Sequence, residues 1–188
     1  MPAKKRDILS DEKLIELARM TFEHFESQLH FGDTKAQLTL GVNAVLIGAL
    51  ASFGKEAFSA LLDPASPFLE KAIGVLAVPL FVSILLSVMF SLFAAQPNLR
   101  PPLRKPESPQ EDNLYFFGSV QRFSPSDYNR RFSAQSGAQA RAAILEQVHA
   151  KARIAERKFT NTRRGLYFLY LSFLLWAVMQ ALSFFIAD

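Results

Sequence analysis

Between Asn113 and Phe132 the chain reads NLYFFGSVQRFSPSDYNRRF, a run in which Arg122, Arg130 and Arg131 are interleaved with Tyr115, Phe116, Phe117 and Tyr128. A guanidinium fork donates paired hydrogen bonds to a phosphate, and an aromatic face stacks a base. A segment that carries both side-chain types can clamp a nucleotide by its phosphate and its ring. No catalytic set accompanies it. The chain holds no P-loop, nucleophile elbow or zinc spacing. Its histidines are His24, His30 and His149, and the step from His24 to His30 does not place both on one helix face, so a metal site with Asp33 or Glu26 is not expected. There is no cysteine, which removes disulfides and thiolate catalysis. We expect neither an enzyme nor a bound metal or cofactor.

A second set of polar residues lies inside apolar sequence. Residues 36–54 carry no charge and are bracketed by Lys35 and Lys55, a length close to the ~20 residues that cross a hydrocarbon core. On a helical period, Thr34, Gln37, Gly41, Ala44, Gly48 and Ser52 form one stripe, with Ala36, Thr39 and Asn43 roughly opposite. Neither side is a plain lipid-facing surface, so this span should pack on two sides. The small residues Ala44, Gly48 and Ser52 would let helix backbones approach closely, and they point to a homo-oligomer; Asn43 is suited to a hydrogen bond across helices. In the uncharged run 72–95, Ser83, Ser87 and Ser91 recur every four residues, to bond across helices or to line a wet path, and Pro79 should bend the helix.

These residues need elements to hold them. Ser10, Asp11 and Glu12 make a helix start, and Leu14, Ala18, Phe22, Phe25 and Leu29 then recur at helical spacing. This predicts an amphipathic helix over about 11–31 that continues through Gly32 into the first span. Its opposite face carries Glu12, Glu16, Arg19, Glu23 and Glu26, which suits packing on another helix better than lying on an anionic membrane. A second amphipathic helix, about 133–162, shows Ala140, Ile144, Val148, Ala155 and Phe159 on one side and runs into a third uncharged stretch, 165–187, with Tyr167 and Tyr170 at interfacial depth and Trp176 beyond. The fold class is therefore an all-α membrane protein with three transmembrane helices and two cytoplasmic amphipathic helices continuous with the first and third spans. The expected segments are an N-terminal helix in 1–34, spans at 35–54, 72–95 and 165–187, a periplasmic loop at 55–71 with turn signals Asp63-Pro64 and Ser66-Pro67, and a cytoplasmic stretch, 96–164. That stretch opens on QPNLRPPLRKPESP, whose five prolines predict an extended linker.

Half of the 188 residues are hydrophobic, and Phe occurs 18 times. No cleavable signal is visible at the N-terminus, so the first span itself should direct insertion. Lys and Arg number six in the first 35 residues, two in 55–71 and 13 in 96–164. The positive-inside bias places both rich segments in the cytoplasm and the C-terminus in the periplasm. The 13 basic residues of 96–164 face six acidic ones; an anionic partner is plausible, although the same bias explains most of the charge. Duplex nucleic acid is not expected, because the basic residues alternate with apolar ones beside a membrane.

Two stretches, GDTKAQLTLGVNAVLIGAL from Gly32 and NLYFFGSVQRFSPSDY from Asn113, resemble the membrane effector proteins of Pycsar, the bacterial pyrimidine-cyclase antiphage system. Asp33, Thr34, Lys35 and Asn43 belong to the first motif, and Asn113, Phe116, Phe117, Gly118 and Tyr128 to the second. The likeness runs from the helix before the first span to the third span. It implies an inner-membrane protein that responds to cyclic CMP or cyclic UMP from a neighbouring cyclase, then damages membrane integrity and kills the infected cell before phage matures. The implied partners are the lipid bilayer and a pyrimidine cyclase acting through its diffusible product. No catalytic or ligand-binding residue is carried over. The alternative is a passive membrane anchor that recruits a signalling partner.

Overall fold

The computed structural model describes residues 10–96 and 113–187, without the side chains of Asp11, Phe53, Phe117, Ile186 and Ala187. It consists of α1 (Asp11–Leu62), α2 (Phe68–Ala95), α3 (Phe117–Val120), α4 (Pro125–Ser133) and α5 (Gly137–Ala187), with no strand among the described residues. Three of these, α1, α2 and α5, are long and apolar enough to cross a membrane. The chain is an all-α membrane protein. The basic residues Lys4, Lys5 and Arg6 and nearly all of the proline linker, Arg104 included, lie outside the described residues.

Helix α1 does not stop where its charge-free run does. It continues through Lys55 to Leu62, and the chain turns only over 63–67, a shorter connection than the loop expected at 55–71. The reason is local. Ala57 is buried and Phe58 and Leu61 are half-buried, so the segment keeps an apolar face to pack and has no cause to unwind. It ends at Asp63 because a residue before proline is pushed out of the helical region. Asp63 Oδ1 accepts from the amide of Ala65, and Lys71 Nζ donates to the Pro64 carbonyl, which closes the turn.

The chain divides into two compact units, and α1 and α5 contribute to each. One comprises His30–Pro97 and Arg157–Asp188. Its core brings Leu46, Leu50 and Ala57 of α1 together with Ile73, Ala77, Leu80 and Ile84 of α2 and Leu169 and Met179 of α5. Backbones approach closely at two glycines. A Cβ on Gly74 would lie 2.5 Å from the Ala57 carbonyl oxygen, and one on Gly165 would lie 2.7 Å from Ser91 Oγ. Within this one chain, a Cβ on Gly41 or Gly48 would meet nothing within 4 Å. Of the two stripes on the first span, Ala36, Thr39 and Asn43 are buried against the chain's own helices, whereas Gln37, Gly41, Ala44, Gly48 and Ser52 are exposed.

The other unit comprises Met1–Leu29 and Asn98–Glu156. On α1, Ala18 is buried and Leu14, Phe22, Phe25 and Leu29 are half-buried; on α5, Ala155 is buried and Ala140, Ile144 and Val148 are half-buried. Lys151 of α5 pairs with Glu26 and lies 3.5 Å from the Phe22 ring centroid. Two helix starts shape the aromatic segment. Ser124 Oγ accepts from the Asp127 amide with Pro125 at the first position, which begins α4. Ser136 and Gln139 bond reciprocally, side chain to backbone in both directions, which begins α5.

Candidate functional site

In the unit that contains α3 and α4, the site is built outward from Asn113. This buried residue donates from Nδ2 to the Ala143 carbonyl at 2.9 Å and to Glu146 Oε2 at 2.8 Å, while its Oδ1 accepts from the Tyr115 amide at 2.9 Å. Three of the four bonding directions of one short side chain are used, the two donors to pin the segment to α5 and one lone pair to hold the start of the segment itself. Tyr115 then packs on Phe132, with ring centroids 5.9 Å apart, and Phe132 packs on Tyr128 at 5.8 Å. The Tyr128 hydroxyl donates to the Leu114 carbonyl and that of Tyr115 to Gln135 Oε1. Burial, and secondarily the neighbouring Tyr128, raises the Tyr115 phenol above its ordinary value.

Against this wall lies a cleft of about 570 Å³ whose lining includes Asn113, Arg130, Arg131, Gln135, Gln139 and Glu146. Pockets of roughly 300–1,000 Å³ hold small ligands. The Arg131 guanidinium sits 4.8 Å from the Phe123 ring centroid, and Arg130 donates to Asp127 Oδ1 at 2.6 Å. The side chains of Arg130 and Asp127 are 75% and 47% exposed, and such a surface pair contributes only about 0–1 kcal/mol. A phosphate that offers Arg130 a better acceptor can take it from Asp127 at small cost.

Of the residues singled out in the sequence, Arg130 and Arg131 thus come together on the cleft, with Tyr115 and Tyr128 behind them. Arg122 is exposed in the turn after α3 and is not among the lining residues. The side chain of Phe117 lies outside the described residues. Gln135, Gln139 and Glu146 were not foreseen. The Ser136-x-x-Gln139 spacing, a capping signal, could have placed Gln139 at the first turn of α5.

The second polar group lies in the unit built on Leu46, Leu80 and Leu169. Asn43 Nδ2 donates to the Thr39 carbonyl and, at 2.8 Å, to Ser87 Oγ, which in turn donates to the Gly165 carbonyl at 2.9 Å. Ser83 and Ser172 share a hydrogen bond at 2.8 Å. The seam therefore joins α1 to α2 and α2 to α5. Ser91 Oγ and Asn43 Oδ1, both buried, meet no partner among the described residues. Ahead of the charge-free runs, Lys158 pairs with Asp33, its side chain 13% exposed and that of Asp33 33%. This arrangement can orient three helices, and nothing in it is suited to covalent chemistry.

A family model described as the Pycsar effector protein domain matches residues 17–185. No curated protein and no solved structure matches the chain.

Proposed function

Because this chain belongs to the Pycsar effector family, we propose that it is a non-catalytic antiphage effector switched on by a cyclic pyrimidine mononucleotide, cyclic CMP or cyclic UMP, that binds in the Arg130/Arg131 cleft. The observation that carries this reading is that two arginines, a tyrosine-backed wall and four amide or carboxylate side chains meet on one cleft of nucleotide size. The arginines take the cyclic phosphate, and Gln135, Gln139 and Glu146 offer donors and acceptors to the edge of the base.

The output is loss of inner-membrane integrity, which halts the infected cell before phage matures. The N-terminus and residues 96–164 lie in the cytoplasm and the C-terminus in the periplasm, so the cleft meets the diffusible product of a pyrimidine cyclase. Turning a population from 1:99 to 99:1 takes about 5.5 kcal/mol of differential binding, or about 1.4 kcal/mol for each of four cooperating copies. One charge-assisted hydrogen bond to phosphate supplies that. The exposed stripe of Gly41, Ala44, Gly48 and Ser52 supports assembly of several copies, since lipid alone gains nothing from small residues.

The test pairs binding with leakage. Purified protein is titrated with labelled cyclic CMP and cyclic UMP, and dye entry is followed in cells that make the nucleotide. Arg130→Ala and Arg131→Ala should each weaken binding by at least about tenfold, the loss of one bond to a charged group, and should abolish dye entry with insertion unchanged, whereas Arg122→Ala should behave as the parent. Binding lost only in Arg122→Ala would move the site out of the cleft. No dye entry under any nucleotide would leave the anchor as the better reading.

A further inference from the structure

A groove of about 330 Å³ opens between α1 and α5, lined by Lys35 from the first and by Phe159, Arg163, Leu166, Tyr167 and Tyr170 from the second. The sequence fixes its depth. Lys35 is the last charged residue before the run that begins at Ala36, and Arg163 and Arg164 are the last before the run that begins at Gly165. The groove therefore straddles the level at which lipid headgroups meet hydrocarbon.

Its two ends differ in chemistry. Lys35 and Arg163 supply cations at the watery end, and no carboxylate is among the lining residues. Asp33, the acid nearest Lys35 in sequence, is occupied by Lys158. Lys35 Nζ is instead steadied 4.3 Å from the centroid of the Phe31 ring. At the other end Tyr167 and Tyr170 are 66% and 69% exposed beside Leu166, large aromatic surfaces with a polar tip, the type that settles at a membrane interface.

We propose that this groove binds an anionic phospholipid of the bilayer in which the chain sits, its phosphodiester between Lys35 and Arg163 and the upper part of an acyl chain along Leu166, Tyr167 and Tyr170. Basic pockets between membrane helices at the headgroup level are suited to such lipids, and an arginine beside a lysine offers both a fork and a point charge to one phosphate. The proposal rests on the membrane-spanning fold alone and is independent of the nucleotide reading.

The full chain is placed in nanodiscs of equal parts phosphatidylglycerol and phosphatidylcholine, released, and examined by native mass spectrometry for the lipid it retains. A basic side chain near an anionic surface is worth about fivefold, so the parent should retain phosphatidylglycerol over phosphatidylcholine by about 25-fold. Lys35→Gln and Arg163→Gln should each reduce that preference about fivefold, and the double variant should abolish it. Lys35→Arg should restore the parent value, and Lys55→Gln, which removes one charge at the other end of the span, should leave it unchanged. Equal retention of the two lipids by the parent overturns the proposal without recourse to any variant. So does an undiminished preference in the double variant, or displacement of the lipid by excess inorganic phosphate, which would make the site one for a soluble anion. Efficient disulfide crosslinking of Tyr170→Cys between copies in the same nanodiscs would assign the groove to a second subunit and overturn it as well.

Discussion

Asn43 and Ser87 are joined by a 2.8 Å hydrogen bond between fully buried side chains, and the Asn43 amide oxygen beside that bond meets no donor among the described residues. Asn43→Ala removes the donor but leaves Ser87 bonded to the Gly165 carbonyl. A polar bond between membrane helices contributes about 0.6–2 kcal/mol, and relieving the unmet oxygen offsets part of that. The expected result is a loss of about 1 kcal/mol in reversible unfolding in micelles. A loss well above that would mean that Asn43 holds more than this one seam.

Glycines on the two sides of the bundle should separate folding from assembly. Gly74→Ala drives a methyl to 2.5 Å from the backbone of Ala57, and overpacking of this kind costs about 1–3 kcal/mol, read as a lower unfolding midpoint. Gly48→Ala meets open space and should stabilise the helix by a few tenths of a kcal/mol up to about 1. Gly48→Leu should leave the monomer folded and weaken crosslinked oligomers, because it fills the exposed small-residue stripe. Unchanged crosslinking would show that copies meet on another face.

Asn113→Ala should release the aromatic segment from α5. It removes two donated bonds and one accepted bond at a buried site, each worth about 0.5–1.5 kcal/mol. Limited proteolysis should then cut between Asn113 and Gln135 at rates at least tenfold above the parent. Nucleotide binding should fall in parallel, since Arg130 and Arg131 are carried on the same segment.

An alkaline titration should find Tyr115. Burial disfavours its phenolate, so the folded protein holds this proton at pH values where the unfolded chain has begun to release it. The contribution to stability is intact below pH 10.0, the ordinary value, and is lost as pH rises through the higher folded-state value. Tyr115→Phe should flatten the decline in stability above pH 10 followed by circular dichroism. An identical decline in parent and variant would place the alkaline transition elsewhere.

Much of the architecture was legible because its signals are strong and local: three charge-free runs, and apolar residues at helical spacing on the segments that lead into two of them. The two stripes of the first span were legible too, but which one faces inward was not. That choice depends on Ser87 and Gly165, far away in sequence, which meet Asn43 only after folding. The cleft was half legible. Arg130 and Arg131 stand out by type, whereas Gln135, Gln139 and Glu146 become lining residues only because two short capping signals, at Ser124 and Ser136, turn the chain back against α5. Arg122 has the same chemistry as Arg130 and Arg131 and is separated from them by the turn at Ser124.

The Asp33–Lys158 pair also bears on how the protein is made. Its members are 125 residues apart, and a ribosome adds about 5–20 residues per second. Asp33 is therefore made roughly 6–25 seconds before its cation is synthesised. The first span must be inserted without help from this contact. The pair instead marks the end of biogenesis, the moment at which the third span docks on the first, and a truncated chain that stops before Lys158 never reaches it.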